Sequence, residues 1–431
     1  MPIRLDSKAK DFAARFDAFL ATKRESADDV ETAVRGIVAD VAARGDRALV
    51  DFTRRFDKAD LDQLGIRVDE KEIDAALGTI KKETRVALEL AKARIEAHHK
   101  RQLPKDERYT DPLGVELGSR WTPIEAVGLY VPGGKAAYPS SLLMNAVPAK
   151  VAGVTRLAMT VPAPEGKLDP LVLAAAKLAG VTEIYRVGGA QAIAALAYGT
   201  ETIKAVAKIV GPGNAYVAAA KRLVFGRVGI DLIAGPSEVL VLADKDANPD
   251  WIAADLLAQA EHDEMAQSIL VTDNAGLADA VEQAVAAQLK TLPRARIAGA
   301  SWRDFGAIIL VASLDDAIPL VDRIAAEHVE IHSRDAERIA ARIRNAGASF
   351  IGAYTPEAIG DYVGGSNHVL PTARAARFAS GLGVLDFMKR TSLLKCGPEQ
   401  LRALGPAAIT LGEAEGLDAH ARSVAIRLNR D

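Results

Sequence analysis

The spacing of apolar and polar positions changes once along the chain, near residue 126. Up to about Pro104 the pattern is typical of charged amphipathic helices, among them one over Asp28–Arg44 and a long helical stretch over Asp69–Gln102. From Ala126 onward, short runs rich in Val, Ile and Leu alternate with Ala-rich helical segments and Gly-containing turns. This alternation predicts parallel βαβ units, in which helices cover the faces of a sheet.

The predicted strands form two groups. They lie at residues 126–131, 157–161, 183–187 and 207–210, and then at 238–242, 268–271, 307–311, 329–332 and 349–351. We therefore predict an α/β fold with two doubly wound lobes. The expected boundaries are 1–125 for an N-terminal helical segment leading into the first lobe, 126–237 for the first lobe, 238–380 for the second lobe, and 381–431 for a C-terminal tail long enough to reach a neighbouring subunit.

Composition and charge exclude several classes of protein. The 431 residues include 54 Lys plus Arg and 57 Asp plus Glu, and the formal net charge of −3 gives no general electrostatic reason to bind nucleic acid. The first residues are charged, and no run approaches the roughly 18 apolar residues that span a bilayer. The single cysteine, Cys396, excludes an intramolecular disulfide framework and fits a reducing compartment. We expect a cytoplasmic protein that binds neither nucleic acid nor membrane.

Three Gly-containing segments follow predicted strands of the first lobe. They are Val131–Gly134, Gly188–Gln191 and Val210–Asn214. Glycines at the end of a parallel strand let backbone N–H groups and a helix N-terminus approach a phosphate closely. None of the three completes a G-x-G-x-x-G fingerprint, so each on its own also fits an ordinary tight turn.

Histidines and carboxylates point to a site in the second half of the chain. Gln259 and His262 share one face at the end of a predicted helix, which suits the start of a metal site but equally an ordinary helix end. Glu327 and His328 stand where a helix meets a strand, and a histidine there is a candidate general base. The polar face of a half-buried strand gives the same pattern. Residues 354–368 form a long predicted loop dense in Gly, Asp, Asn and His.

Ordered motifs along nearly the whole chain resemble the histidinol dehydrogenase family. The motifs are Gly128–Gly134, Val210–Val217, Asp231–Glu238, Gln259–Asp263, Ala326–Glu330, Gly360–Tyr362, Asn367–Thr372 and the tail segment Glu413–Ser423. The resemblance implies two Rossmann-like lobes of the aldehyde-dehydrogenase type, with a C-terminal tail exchanged in a homodimer. It further implies a zinc- and NAD-dependent four-electron oxidation of L-histidinol, through L-histidinal, to L-histidine.

The resemblance also implies roles for individual residues. Carried over position by position, the zinc ligands are Gln259, His262, Asp361 and His420. His328 is then the base that takes the hydroxyl proton, and Glu327 activates the water that adds to the aldehyde. The residues at the substrate are Ser237, Gln259, His262, His328, Asp361, Glu415 and His420, with His368 beside them, and those at NAD are Tyr130, Gln191 and Asn214. Glu415 and His420 would reach the site from the partner subunit.

The chain departs from the family pattern in two places, and three alternatives stay open. Ser366 stands where a proline is expected, and Gly381 and Gly383 make a later loop more Gly-rich. Cys396 lies outside the motifs, which favours a hydrated aldehyde over a thiohemiacetal as the intermediate. The alternatives are a relative that oxidises another small polar alcohol, an α/β binding protein without catalytic activity, and a zinc hydrolase.

Overall fold

The computed structural model describes residues 1–22, 28–133, 138–233 and 235–429. The strands are β1 (Ile3–Asp6), β2 (Glu107–Thr110), β3 (Glu116–Pro123), β4 (Ala126–Tyr130), β5 (Arg156–Thr160), β6 (Glu183–Tyr185), β7 (Lys208–Val210), β8 (Gly229–Ile230), β9 (Glu238–Ala243), β10 (Gln267–Thr272), β11 (Ala307–Leu310), β12 (His328–His332), β13 (Ala348–Ile351) and β14 (Met388–Lys395). Gly134 and Ala234, which belong to two of the motifs, lie outside the described residues.

The helices fall into the same succession of segments. Before the first lobe come α1 (Phe12–Ala21), α2 (Asp28–Arg44), α3 (Asp46–Phe56), α4 (Leu61–Leu64), α5 (Glu70–Thr79) and α6 (Lys82–Lys100). The first lobe carries α7 (Pro139–Val151), α8 (Pro170–Ala179), α9 (Gly189–Tyr198) and α10 (Ala215–Val224). Later come α11 (Pro249–Ala260), α12 (Ala275–Gln288), α13 (Ala295–Phe305), α14 (Leu314–Ile324), α15 (Ala336–Ala340), α16 (Glu357–Tyr362), α17 (Pro398–Ala414) and α18 (Asp418–Ala425).

The first lobe is a five-stranded parallel sheet with the order β6-β5-β4-β7-β8. All five residues of β4 are buried, as expected for a central strand covered by helices on both faces. From β4 the chain first adds β5 and β6 on one side and then crosses to add β7 and β8 on the other, so the strand order reverses between β4 and β7. In such sheets, ligands bind in the crevice at the carboxyl ends of the two strands at this switch point. The turns after β4 and β7 are two of the three Gly-containing segments singled out in the sequence.

The second lobe repeats this order and adds a strand from the N-terminus. Its parallel sheet runs β1-β11-β10-β9-β12-β13, so β9 to β13 repeat the arrangement of the first lobe. The prediction of two doubly wound lobes is therefore confirmed. The sequence pattern did not predict β1, whose four residues are too few to show a period; it pairs with β11 and places α1 on the second lobe.

A third, antiparallel sheet joins the end of the predicted N-terminal helical segment, which here forms β2 and β3, to the predicted tail, which continues from β14 into a helical arm. β14 pairs with β3 along the whole length of both strands, and β2 pairs with the other edge of β3. Beyond β14, α17 packs against α18, where Gly412 lies close to the backbone of Ala421. We call residues 398–428 the C-terminal arm. Among the described residues, no helix combines the length and apolar character needed to span a bilayer.

Candidate active site

The candidate site is built where β9 and β12 begin side by side. Glu238 opens β9, and Glu327 directly precedes β12. The backbone N–H of Glu238 donates to Oε2 of Glu327 (3.1 Å), and the backbone N–H of Glu327 donates to Oε2 of Glu238 (3.3 Å). Both residues are buried. This reciprocal pair satisfies two strand-end N–H groups and fixes the Glu327 carboxylate at the start of the strand.

His328 is oriented with one ring nitrogen bonded and the other free. Nδ1 lies 3.0 Å from the carbonyl oxygen of Glu238, so Nδ1 carries the proton and donates. Nε2 is buried and has no hydrogen-bond partner among the described residues; its nearest carboxylate oxygen is Oδ1 of Asp361, at 3.9 Å. Burial lowers the pKa of His328 to about 3, which keeps the ring neutral. The Nε2 lone pair of this neutral imidazole is therefore the position on the ring where a proton can be accepted.

Two helices bring further polar groups to His328. Gln259 lies near the end of α11, His262 follows that helix, and α16 carries Glu357 and Asp361. The potential ligand atoms of His262, Glu357 and Asp361 all lie within 4.8 Å of one another. Oriented with its nitrogen toward Glu357, the Gln259 amide donates to both carboxylate oxygens (2.5 and 3.1 Å). The sequence predicted residues 354–368 as a loop, but this segment contains α16, a helix too short to show a clear hydrophobic period.

The electrostatics of this cluster favour a bound cation. Burial raises the pKa of Asp361 to about 7 and, together with the neighbouring carboxylates, raises the pKa of Glu357 well above its ordinary value. No Lys or Arg makes an ion pair with either carboxylate among the described residues. Carboxylate, imidazole and amide groups gathered without a positive partner suit a divalent ion such as zinc. The residues present therefore fit the zinc that the resemblance implies.

A second group of titratable side chains, formed by Asp255, Glu330 and His332, links the elements that carry the first group. Glu330 is fully buried on β12, and one of its oxygens accepts a hydrogen bond from the backbone N–H of Glu357 (2.6 Å). Its other oxygen lies 3.2 Å from Nε2 of His332, and that nitrogen is 3.5 Å from Asp255 on α11. Burial and the nearby charge of Glu330 raise the pKa of Asp255 to about 8. The group ties β12 to α11 and α16, the helices that carry Gln259, Glu357 and Asp361.

His368 connects the candidate site to the first lobe. Its Nδ1 lies 2.9 Å from the carbonyl oxygen of Asp361, and its Nε2 lies 3.3 Å from the hydroxyl of Ser141 in the first turn of α7. The neighbouring Asn367 donates to the carbonyl oxygen of Met144, also on α7 (2.7 Å). Burial lowers the pKa of His368 to about 4. The Asp361 side of the cluster therefore faces the helix that follows β4 of the first lobe.

The three predicted NAD residues lie beside neighbouring turns at the carboxyl edge of the first sheet. Tyr130 ends β4, and its hydroxyl accepts a hydrogen bond from the backbone N–H of Gly189 (3.1 Å), two residues before the buried Gln191. Asn214 precedes α10, and its side chain accepts from the first N–H groups of that helix. Turns, glycines and a helix N-terminus at the switch point suit a dinucleotide phosphate.

The structure brings together most, but not all, of the predicted site residues. Gln259, His262, His328 and Asp361 gather, and the half-buried Ser237 directly precedes Glu238, the first residue of β9. Glu415 and His420 do not join them within one chain, because both lie exposed in the C-terminal arm. Glu357 was missed in the sequence. Its position four residues before Asp361 places both carboxylates on one face of a helix, a signal hidden by the prediction of a loop.

Two doubly wound lobes, with a neutral histidine beside a carboxylate-rich cluster that could hold a metal ion, fit the class of metal- and NAD-dependent oxidoreductases. Comparisons with known proteins narrow this class. The family model for histidinol dehydrogenase matches residues 20–428. Histidinol dehydrogenases from Rhodopseudomonas palustris and Bradyrhizobium diazoefficiens are each 72% identical to this chain, with full coverage of both chains. The crystal structure of histidinol dehydrogenase from Elizabethkingia anophelis superposes with a TM-score of 0.94 at 36% identity, over 99% of this chain and 98% of that one. The chain belongs to the histidinol dehydrogenase family.

Proposed function

We propose that this chain oxidises L-histidinol to L-histidinal and then to L-histidine, with the cluster around His328 as its catalytic centre. The observation that carries the proposal is the free, buried Nε2 of His328 beside the ligand atoms of His262 and Asp361. When bound, zinc supplies a Lewis-acidic anchor for the substrate and NAD supplies the hydride acceptor. Gln259, His262 and Asp361, completed by His420, would hold the zinc.

The residues of the chain then act as proton acceptors in both oxidations. Nε2 of His328 takes the hydroxyl proton of histidinol as the hydride leaves its carbon, and the hydrogen bond from Nδ1 to Glu238 keeps the ring in the required tautomer. Glu327 takes a proton from the water that adds to the aldehyde. The resulting hydrate is oxidised in the same way as the alcohol. One site, with proton acceptors beside one reacting carbon, therefore serves both steps.

Substrate and cofactor would meet between the two lobes. Ser237 and His368 line the substrate side, and Tyr130, Gln191 and Asn214 line the cofactor side. The contact of His368 with Ser141 on α7 supports this placement, because α7 begins at the same sheet edge as the cofactor turns. The Gly-containing turns argue against a zinc hydrolase, in which they would have no role.

We further propose a homodimer in which each C-terminal arm completes the site of the partner subunit. The support is the exposure of Glu415 and His420 on an arm whose two helices pack chiefly on each other. In the partner's site, Glu415 would bind the substrate amine by a charge-assisted hydrogen bond. The cytoplasm is the proposed compartment, supported by the single, exposed cysteine.

The test is the NADH yield from limiting L-histidinol with excess NAD, in zinc-loaded and chelator-treated enzyme. We expect two NADH for each histidinol, lost on chelation and restored by zinc. His328→Asn, which keeps a donor toward Glu238 but removes the base, should lose turnover and retain zinc. One NADH per histidinol would contradict the two-stage reaction. No turnover in the zinc-loaded enzyme would favour another alcohol as substrate or a binding protein without activity.

A further inference from the structure

A buried ion pair lies beneath the turn between β7 and α10. Lys221 on α10 and Asp231 after β8 form the pair, and each side chain is only 2% exposed. Nζ of Lys221 also donates to the carbonyl oxygen of Gly211 (3.0 Å), and Oδ2 of Asp231 accepts from the N–H of Gly211 (2.8 Å). The pair therefore binds both backbone groups of one glycine. We call Lys221 and Asp231 the turn clamp.

Gly211, the glycine bound by the turn clamp, has a backbone conformation and surroundings that leave no room for a side chain. Gly211 has φ of 117°, a conformation that residues with a side chain rarely adopt. A Cβ at this position would overlap the carbonyl oxygen of Tyr130. The turn clamp thus hydrogen-bonds the backbone after β7 at the point where it lies against the end of β4, at the switch point of the sheet.

The contacts of the turn clamp and Gly211 extend toward all three predicted NAD residues. Asn214 lies three residues beyond Gly211, and its side chain caps α10 through the N–H groups of Tyr216 (3.1 Å) and Val217 (3.2 Å). On the other side, Tyr130 contacts Gly211 through its backbone and Gly189 through its hydroxyl. One connected set of contacts therefore runs from the turn clamp to Tyr130, Asn214 and the turn before Gln191.

We infer that Lys221 and Asp231 are positioning residues for the dinucleotide, which hold the turn at Gly211 in its binding conformation without touching the cofactor. This inference rests on the proposed function. A buried ion pair is a poor source of stability compared with apolar side chains of similar size, because desolvation offsets the attraction. An apolar pair could fill the same volume, but it could not bond both backbone groups of Gly211. The need to hold the turn at Gly211 therefore explains why Lys221 and Asp231 form a buried ion pair, which stability alone does not explain.

The test uses the zinc-loaded enzyme and Lys221→Met, which keeps an unbranched side chain of similar length but removes the donors. The matched control is Arg156→Met, which breaks the ion pair with Glu183 at the opposite, amino edge of the same sheet. NADH binding is measured by fluorescence, together with KM for NAD, KM for histidinol and the melting temperature. We expect Lys221→Met to weaken NADH binding by about 10- to 100-fold, because a small displacement of a positioning group has effects of this size.

The pattern across the variants separates positioning from general packing. Lys221→Arg, which retains charge and donors, should restore much of the NADH affinity, and Arg156→Met should lower only the melting temperature. Should Lys221→Met not fold, the isosteric Asp231→Asn gives the same comparison. Unchanged NADH binding in a folded clamp variant, or an equal loss of histidinol and NADH binding, would overturn the inference. Failure of the wild-type enzyme to bind NADH would overturn the proposed function and the inference with it.

Discussion

Exchange of the C-terminal arm between subunits predicts a specific result when two inactive variants are mixed. His262→Ala removes a proposed ligand beside Asp361, and His420→Ala removes the proposed ligand on the exposed arm, so each homodimer should be inactive. In a hybrid dimer, one site receives both substitutions and the other receives neither. At equal mixing about half of the dimers are hybrids with one intact site of two, so about a quarter of the wild-type activity should return.

The assay is NADH formation after co-refolding or co-expression of the two variants. Mixing His420→Ala with Glu415→Ala is the matched control, because both substitutions lie in the arm and every hybrid site then lacks one arm residue. Mixing His262→Ala with Asp361→Asn is the corresponding control within the lobes. If each arm served its own subunit, no hybrid would contain an intact site. Activity near zero in a verified hybrid of the first pair would therefore refute arm exchange.

Three further predictions concern single positions. Glu357→Gln should lower zinc affinity by about 10- to 100-fold in competition with a chelator, because Glu357 lies at the cluster and contacts Gln259; unchanged affinity would remove Glu357 from the metal site. Asp255, with its pKa raised to about 8, keeps a proton in the folded protein that the unfolded chain releases above its ordinary pKa of 3.8. The contribution of Asp255 to the free energy of unfolding of the metal-free protein therefore falls as pH rises from about 4 to 8, by at most about 1.4 kcal/mol per pH unit. Asp255→Asn should reduce this pH dependence, measured by urea unfolding at several pH values. An unchanged slope would contradict the raised pKa. Cys396→Ser should keep both oxidations, because the thiol is exposed and outside the site; loss of aldehyde oxidation alone would implicate a thiohemiacetal.

The strands with the clearest hydrophobic signal were predicted well. β4, β9 and β10 are buried along their whole lengths, and their continuous apolar runs stand out in the sequence. Two groups of elements were not predicted. β2, β3 and β14 lie in segments that were predicted as the N-terminal helical segment and the tail. β1 and α16 have four and six residues, and neither is long enough to show a period of two or 3.6.

The candidate site divides in the same way. Glu327 and His328 were identified from their place at a junction of helix and strand, and Gln259 with His262 from their helical spacing. Glu357 was missed because its helix was missed. The pairing of Lys221 with Asp231 was missed. Lys221 carried no local signal, because a charged residue on an Ala-rich helix is typical of a protein surface, and Asp231 stood out only as the first residue of a motif. Only the tertiary structure buries the pair, against the backbone of Gly211.

The sequence by itself determined the two α/β lobes, the family, and the residue types that a zinc- and NAD-dependent oxidation needs, because periodicity and motif spacing are local properties of the chain. The tertiary structure decided which of these residues meet. It gathered His328, Asp361 and Glu357 from two elements, left the free nitrogen of His328 facing Asp361, and kept His420 apart on the C-terminal arm. Distances between side chains depend on how separate elements pack, and the pKa values follow from the resulting burial. No local pattern in the sequence contains that information.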